Sequence, residues 1–392
     1  MRILPYSRQN IDKQDIKSVV EVLKSNFLTQ GPNVAKFEKN ISKKIGSKFS
    51  IAVNSATSAL HIACMSLNIK KGDIVWTSAN SFVASINCAN YLGAKVDFID
   101  IENDYYNLSI ENLEKKLILA KKKNKLPKLI VVVHFAGFAC DLKKIYKLSK
   151  IYKFKIIEDA SHAIGAKYFG KYIGNCRFSD VTIFSFHPVK IITSGEGGMC
   201  LTNKKNLRDK MLLFRSHGIT NDYKNYQNKK KDAPWYYEQQ SLGYNYRLSD
   251  IHAALGISQL KKLDLFVKQR NLIAKNYFKL LKNLPLILPP PTKKNILSSF
   301  HLFVVRIDFS RTKRTYKQLF NFLRKNKLWV NLHYLPIYSH PLYKKKFNIN
   351  HYKNTENYYK SAISIPIFPG LKYKEQLFIN KKLNFFFSNE KN

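Results

Sequence analysis

One lysine of this chain lies among hydroxyl-bearing and small residues, in the stretch SFHPVKIITSGEGG at residues 185–198. An amine becomes a useful nucleophile when desolvation or nearby positive charge lowers its pKa. Lys190 is therefore a candidate for covalent chemistry with a carbonyl group. The hydroxyl groups of Ser185, Thr193 and Ser194 could contact a phosphate, and the glycines that follow allow close backbone approach.

A carboxylate stands at the end of an apolar run in IIEDASHAIGA. If that run is a strand, Asp159 lies at its carboxyl end, where ligands bind in open α/β sheets. A carboxylate there could keep the ring nitrogen of a pyridinium cofactor protonated. The alternative is an aspartate that caps a helix or a turn. His162 could neighbour the cofactor or could be an ordinary core histidine.

A third candidate is the segment NSATSALHI, in which small and hydroxyl residues precede a helix-like pattern. The first N–H groups of a helix have no partner within the helix. Together with the hydroxyl groups of Thr57 or Ser58, they form a site suited to phosphate. Serine and threonine also cap many helices without binding any ligand, so this segment alone does not decide the question.

The elements around these residues predict an α/β fold. Strand-like runs alternate with helix-like runs from FSIAVN near residue 49 to FKIIEDA near residue 154, which is typical of a mostly parallel, doubly wound sheet. Near residue 250 the pattern changes to one long helix over residues 248–283, then LPPPT and a smaller α/β unit. We expect a large domain over 1–250, and a linking helix with a smaller C-terminal domain over 251–392.

The charge of the chain is extreme. Its 392 residues carry a formal net charge of +41, and 45% of them are apolar, which suffices for a sizeable core. Such a charge could serve nucleic acid or an anionic membrane. The lysines are spread along the whole chain, however, and form no single basic helix or zinc-binding module. We therefore expect a solvated surface, with neither nucleic acid nor a membrane as partner.

The cysteines are odd in number and far apart, and no metal-ligand spacing appears among them. They are expected to be reduced and buried, at Cys64, Cys88, Cys140, Cys176 and Cys200. The first residues lack the apolar core of a signal peptide, and the run LIVVVHFAGFA is too short to span a bilayer. These features predict a soluble cytoplasmic protein without a metal.

The order of the motifs resembles the DegT/DnrJ/EryC1/StrS family of sugar aminotransferases, which depend on pyridoxal 5′-phosphate and have the aspartate aminotransferase-like fold type I. The resemblance covers essentially the whole chain. The motifs that carry it are LTQGPNVAKFE, NSATSAL, SFVAS, HFAG, EDASHAIGA, SFHPVKIITSGEGG, FRSHGI, GYNYRLSDIHAALG, HYLPIY and SIPIFPG.

The resemblance implies a role for each matching residue. Lys190 would be the Schiff-base lysine and would carry the proton between substrate carbon and cofactor. Asp159 would pair with the ring nitrogen, and His162 would lie near the ring. The other implied cofactor contacts are Phe82 against the ring face, the Ala56 backbone, Thr57 and Ser185 at the phosphate, and Asn245 reaching that phosphate across a homodimer interface.

Within the family, the motifs favour members that act on UDP-linked 4-keto-6-deoxy-N-acetyl-hexosamines in pseudaminic acid biosynthesis, with L-glutamate as amino donor. The implied residues on the sugar side are Arg247, His333, Tyr334 and Tyr338. Another nucleotide-linked 4-keto sugar, of the legionaminic acid or bacillosamine type, stays open. A non-catalytic basic binding protein on the same scaffold is disfavoured by the intact lysine and aspartate.

Two features depart from the family pattern. Ile191 stands where close relatives often carry proline, which we expect to be tolerated. The inserted segment at residues 221–238 alters a loop near the expected substrate entrance and puts the fine sugar specificity in doubt. Its Trp235, Tyr236 and Tyr237 could touch substrate or simply pack. Sugar dehydratases of the family carry histidine at the position of Lys190, so the lysine argues against that reaction.

Overall fold

The computed structural model describes residues 3–228, 233–292, 295–344 and 346–388. The strands are β1 (Leu4–Pro5), β2 (Phe49–Val53), β3 (Ile74–Ser78), β4 (Lys95–Ile99), β5 (Leu129–Val133), β6 (Lys155–Asp159), β7 (Lys167–Tyr168), β8 (Lys171–Tyr172), β9 (Val181–Ser185), β10 (Gly198–Thr202), β11 (Ile219–Thr220), β12 (Glu238–Gln239), β13 (Leu286–Ile287), β14 (Ile296–Leu297), β15 (Phe303–Ile307), β16 (Leu328–Trp329) and β17 (Ala362–Ile365).

The helices alternate with the strands of the first half and dominate after residue 250. They are α1 (Lys13–Leu23), α2 (Pro32–Ile45), α3 (Ala56–Ser66), α4 (Ala84–Asn90), α5 (Ile110–Lys122), α6 (Leu142–Tyr152), α7 (Lys205–Arg215), α8 (Asp250–Leu260), α9 (Leu263–Leu280), α10 (Tyr316–Lys325), α11 (Lys353–Tyr359) and α12 (Tyr373–Ser388). Asp12 caps α1, and its side chain accepts a hydrogen bond from the backbone N–H of Asp15.

A seven-stranded sheet forms the centre of the larger part, in the order β2-β10-β9-β6-β5-β3-β4. Strand β10 runs antiparallel to both of its neighbours, and the other adjacent pairs are parallel. The carboxyl ends of β2, β9, β6, β5 and β3 therefore meet at one edge of the sheet. That edge is where open α/β sheets bind their ligands.

Both faces of this sheet are buried, as the continuous apolar strands require. Alternate residues of one strand serve opposite faces: Ile130 and Val132 of β5 join one apolar cluster, and Val131 joins the other. A third cluster lies around β15, β17, α9, α10 and α12. It also takes in Leu4 and Phe135 from early in the chain. The division into a large domain over residues 1–250 and a linking helix with a smaller domain over 251–392 remains a proposal.

One prediction about the helices is wrong. The segment 248–283 forms two helices, α8 and α9, because the first helix ends at Leu260 and the second begins at Leu263. The cysteines, all within the described residues, are buried and form no disulfide, as expected. No helix in the described ranges is long and apolar enough to cross a membrane.

Candidate active site

A cavity of 740 Å³ opens at the carboxyl ends of the central strands. This volume lies within the usual range of sites for small molecules and cofactors. The cavity is lined by the last residues of three parallel strands, Val133, Asp159 and Ser185, and by the segment that leaves β2. The strand ends thus bring together residues that are far apart in sequence.

Nine of the twelve predicted site residues line this cavity. Those predicted for the cofactor are Ala56, Thr57, Phe82, Asp159, His162, Ser185 and Lys190, and those predicted for the sugar are His333 and Tyr334.

Lys190 follows β9 in a turn where its backbone N–H donates to the carbonyl of His187 at 2.9 Å. Its side chain is partly exposed to the cavity, and its Nζ donates no hydrogen bond to any described residue. Burial lowers the pKa of Lys190 to about 8, although the negative charge of Asp159 opposes this shift. About a tenth of the amine is therefore unprotonated, and thus nucleophilic, at pH 7.

Asp159 ends β6 and its side chain is held on both oxygens. Oδ2 accepts from the Ser85 hydroxyl at 2.6 Å, and Oδ1 accepts from the Ser161 hydroxyl at 2.6 Å and from the Ser161 N–H at 3.2 Å. The residue is only 6% exposed, and it faces the cavity. A fixed carboxylate in this position can pair with one protonated group of a bound molecule.

The N-terminus of α3 borders the same cavity. Ser55 is the N-cap residue, and its Oγ accepts from the backbone N–H of Ser58 at 3.1 Å. Among the described residues, the N–H groups of Ala56 and Thr57 have no acceptor. Gly198 of β10 lies so close that a Cβ there would be 2.6 Å from the Ala56 nitrogen. These unpaired N–H groups, with the hydroxyl of Thr57, are suited to bind a phosphate.

His162 is buried beside Lys190 and is held as the neutral imidazole. Its Nδ1 accepts from the backbone N–H of Ala136 at 3.3 Å, which places the proton on Nε2, 3.0 Å from the Tyr334 hydroxyl. Burial, and then the charges of Lys190 and His333, lower the pKa of His162 well below its usual value. His162 therefore acts here as a hydrogen-bond donor and not as a cation.

Phe82 is 56% exposed, which is unusual for a phenylalanine, and its ring lines the cavity 5.8 Å from the ring of Tyr334. A large apolar ring left open at the wall of a cavity is available to stack on a bound aromatic group.

Three predicted residues do not line the cavity of this single chain. Asn245 is exposed and pairs with Ser216 in an isolated bridge, and Arg247 lies near it on the same segment. Tyr338 is buried, and its hydroxyl donates to Glu356 at 2.7 Å. The roles of these three residues remain predictions.

The inserted segment at 221–238 is described only in part, because residues 229–232 lie outside the described residues. Trp235 and Tyr237 are exposed, and Tyr236 donates its hydroxyl to Glu238 at 3.2 Å. None of these three aromatic residues lines the cavity.

Sequence reasoning missed other residues of the cavity wall, including Tyr6, Ser81, Ser161, His187 and Glu196. Ser81 and Ser161 belong to motifs that we used for their neighbours alone. Glu196 also falls within a stretch that carried the resemblance, whereas Tyr6 does not, and no spacing rule connects either of them to Lys190. For the residues inside a motif, the only indication in the sequence was that they belong to it.

The residues present fit pyridoxal phosphate. The unpaired N–H groups at the start of α3 would hold the phosphate, and the Asp159 carboxylate would face the ring nitrogen. The Lys190 amine is available for the aldehyde, and the Phe82 ring for the ring face. All four groups line one cavity of adequate volume.

Comparison with known proteins agrees with this geometry. The model of the DegT/DnrJ/EryC1/StrS aminotransferase family matches residues 9–384. A UDP-4-amino-4,6-dideoxy-N-acetyl-β-L-altrosamine transaminase from Campylobacter jejuni is 39% identical over 97% of this chain and 96% of its own length. The Helicobacter pylori protein of the same name is 35% identical over 95% and 94%.

Solved structures give the same result for the fold. The chain is similar to Helicobacter pylori PseC, an aminotransferase involved in the biosynthesis of pseudaminic acid, with a TM-score of 0.88 and 33% identity. The likeness covers 99% of this chain and 100% of PseC. The predicted fold class, an aspartate aminotransferase-like fold of type I with a mostly parallel central sheet, is confirmed.

Proposed function

The chain belongs to the DegT/DnrJ/EryC1/StrS aminotransferase family, and from this premise we propose that it transfers an amino group from L-glutamate to the C4 ketone of a UDP-linked 4-keto-6-deoxy-N-acetyl-hexosamine. The product would be UDP-4-amino-4,6-dideoxy-N-acetyl-β-L-altrosamine, an intermediate of pseudaminic acid biosynthesis. Full-length relatives that carry this transaminase name support the substrate. The enzyme depends on pyridoxal 5′-phosphate. The observation that carries the proposal is a lysine of lowered pKa in one cavity with Asp159.

The cofactor, when bound, supplies an electron sink that stabilises negative charge at the carbon that loses its proton. Lys190 supplies the base, because an amine with a pKa of about 8 can take up and return a proton near neutral pH. It would take the proton from Cα of glutamate in one half-reaction and deliver a proton to C4 of the sugar in the other. Asp159 would present its carboxylate to the ring nitrogen in both half-reactions. The two halves predict ping-pong kinetics.

The residues that would contact the sugar are proposed from their positions relative to the cavity. His333 and Tyr334 line the cavity and present polar atoms to it. Arg247 and Tyr338 lie outside the cavity of the single chain, so a contribution from them would require the second subunit or a rearrangement. UDP is anionic, and a net charge of +41 would steer such a substrate toward the protein.

A homodimer with shared active sites is part of the proposal. Helix α1 and the segment after it expose apolar side chains of the kind that interfaces cover, among them Ile16, Leu23 and Phe27. Asn245 is exposed, as a residue that serves the neighbouring subunit's cofactor phosphate must be. We place the enzyme in the cytoplasm, since its cysteines are buried free thiols.

Co-expression of two inactive variants tests the shared site. Lys190→Ala and Asn245→Ala subunits mixed at random would form heterodimers in about half of the dimers, and each heterodimer would hold one intact site. Activity should return to about a quarter of wild type. If Asn245 acts within its own subunit, the mixture stays as inactive as the two parents.

The substrate is tested with a matched pair of ketones. The purified protein, loaded with pyridoxal phosphate and L-glutamate, would be given the UDP-linked 4-keto-6-deoxy-N-acetyl-hexosamine of the altrosamine series or its gluco-configured counterpart. Formation of the C4 amine is followed by mass spectrometry, and its configuration by NMR, with Lys190→Ala as the control. Preference for the altrosamine series supports the proposal. Turnover of the gluco ketone alone would move the enzyme to the legionaminic acid or bacillosamine type of substrate.

A further inference from the structure

The motif SFVAS contains two serines that the proposed function does not use. Ser81 precedes α4 and Ser85 lies in its first turn, four residues later. The two hydroxyl oxygens are 2.7 Å apart, and both residues are buried.

The hydroxyl of Ser85 is directed at Asp159, 74 residues away in sequence, and donates to its Oδ2 at 2.6 Å. Serine in a helix usually donates to a carbonyl of its own preceding turn. Ser85 instead contacts the carboxylate that faces the cavity. It is fully buried and does not itself line the cavity, so it acts on bound molecules only through its two partners, Asp159 and Ser81, which do line it.

The direction of the hydrogen bonds follows from proton counting. An ionised carboxylate only accepts hydrogen bonds, so the single hydroxyl proton of Ser85 belongs to the bond with Asp159. Ser81 must then donate to Ser85. The chain therefore runs from Ser81 through Ser85 to Asp159, and each bond polarises the next one. On the other oxygen, Ser161 provides two donors.

We propose that Ser85, supported by Ser81, is a positioning residue that fixes the Asp159 carboxylate for pairing with the protonated ring nitrogen of the cofactor. The inference rests on the proposed role of Asp159. It gives the serines of SFVAS a function separate from that of Phe82. Without Ser85, Ser161 would still donate to Oδ1, but Oδ2 would have no donor and the carboxylate could rotate.

The test measures cofactor binding directly. Apo protein would be titrated with pyridoxal phosphate by equilibrium dialysis, in wild type, Ser85→Ala and Ser81→Ala. We expect the Kd to rise about tenfold in Ser85→Ala and about threefold in Ser81→Ala, because the first loses a charge-assisted bond and the second only its support. Ser66→Ala is the matched control, since Ser66 is a buried helical serine whose hydroxyl donates to the Ala63 carbonyl of its own helix.

A second readout separates positioning from simple loss of stability. Protein reconstituted with pyridoxal phosphate labelled with ¹⁵N in the ring would report the protonation of that nitrogen by NMR. In Ser85→Ala the chemical shift should move toward that of the unprotonated ring, whereas in Ser66→Ala it should not move. An unchanged shift and an unchanged Kd in a folded Ser85→Ala protein overturn the inference.

The Asp159→Asn background distinguishes failure of this inference from failure of the proposed role of Asp159. If Ser85 acts through the carboxylate, adding Ser85→Ala to Asp159→Asn should change the Kd less than about twofold. An equal effect in both backgrounds contradicts the inference. If Asp159→Asn alone binds pyridoxal phosphate with the wild-type Kd and the wild-type ¹⁵N shift, the proposed role of Asp159 itself is wrong.

Discussion

The hydroxyl of Tyr334 lies 3.0 Å from Nε2 of His162, and the backbone N–H of Ala136 donates a hydrogen bond to Nδ1 of the same ring. Because Nε2 carries the proton, the tyrosine oxygen accepts this bond. The phenolic proton of Tyr334 is then available to a molecule in the cavity, which Tyr334 lines. Burial raises the pKa of Tyr334 well above its usual value, so the proton stays on the oxygen.

Tyr334→Phe should therefore weaken the sugar half-reaction more than the glutamate half-reaction. We expect kcat/KM for the UDP-linked ketone to fall about tenfold, the usual cost of one lost hydrogen bond to substrate. The rate at which glutamate converts the bound cofactor should change less than threefold. Stopped-flow absorbance separates the two halves. Equal decreases in the rates of the two half-reactions would indicate that the Tyr334 hydroxyl contacts the cofactor and not the sugar.

The lowered pKa of Lys190 has a direct consequence for its reactivity. An amine reacts in its neutral form, so labelling of Lys190 by acetic anhydride in the protein without cofactor should rise with pH to a plateau, with its midpoint near pH 8. Mass spectrometry of the Lys190 peptide across a pH series gives the midpoint. A midpoint near 10.4, the value of an ordinary lysine, would show that burial does not lower the pKa.

Strand β10 can approach the start of α3 closely because Gly198 has no side chain. A Cβ at this position would meet the backbone of Ser55 and Ala56 at less than 3.0 Å, so Gly198→Ala should push the start of α3 away. We expect the Kd for pyridoxal phosphate to rise at least tenfold, on the order of one lost charged hydrogen bond. Gly46→Ala is the control, because a Cβ at Gly46 meets nothing within 4 Å although the residue has φ +87°. It should cost stability alone.

His333 makes stability depend on pH. Burial, and then the charge of Lys190, lower the pKa of His333 to about 3, while an unfolded histidine keeps a pKa near 6.5. Above pH 6.5 both states are neutral and His333 contributes nothing. As the pH falls below 6.5, the unfolded state binds the proton first, so the folded state loses stability until about pH 3.

Between pH 7 and pH 5 this histidine alone should cost about 2 kcal/mol of unfolding free energy. His333→Gln should lose correspondingly less over the same interval, as measured by urea denaturation without added cofactor. The exposed His351 provides the control variant, His351→Gln. Identical pH slopes in wild type and His333→Gln would contradict the lowered pKa.

The central elements were predictable because they depend on local patterns. The strand that ends at Asp159 and the helix that begins at Ala56 follow from apolar runs and from small hydroxyl residues. The break between α8 and α9 was not predictable from periodicity, since two lysines at 261 and 262 carry no helix-breaking signal.

The site itself was predictable in its motifs but not in its contacts. Lys190 and Asp159 stood out by their settings, whereas Ser85 donates to a residue 74 positions away and no spacing rule connects them. The rings of His301 and His162, with centroids 4.3 Å apart, are likewise brought together only by the tertiary structure. The proposed role of Asn245 requires a second subunit, so a single chain cannot display it.

The most direct test of the account is the visible absorption spectrum of the purified protein with pyridoxal phosphate, recorded again after L-glutamate and after borohydride, beside Lys190→Ala. We predict a visible band in wild type that glutamate bleaches and that borohydride fixes covalently to Lys190, as peptide mass spectrometry would show. Lys190→Ala should give neither the bleaching nor the covalent adduct. An adduct on another lysine, or the same spectra in wild type and Lys190→Ala, would contradict the central role of Lys190.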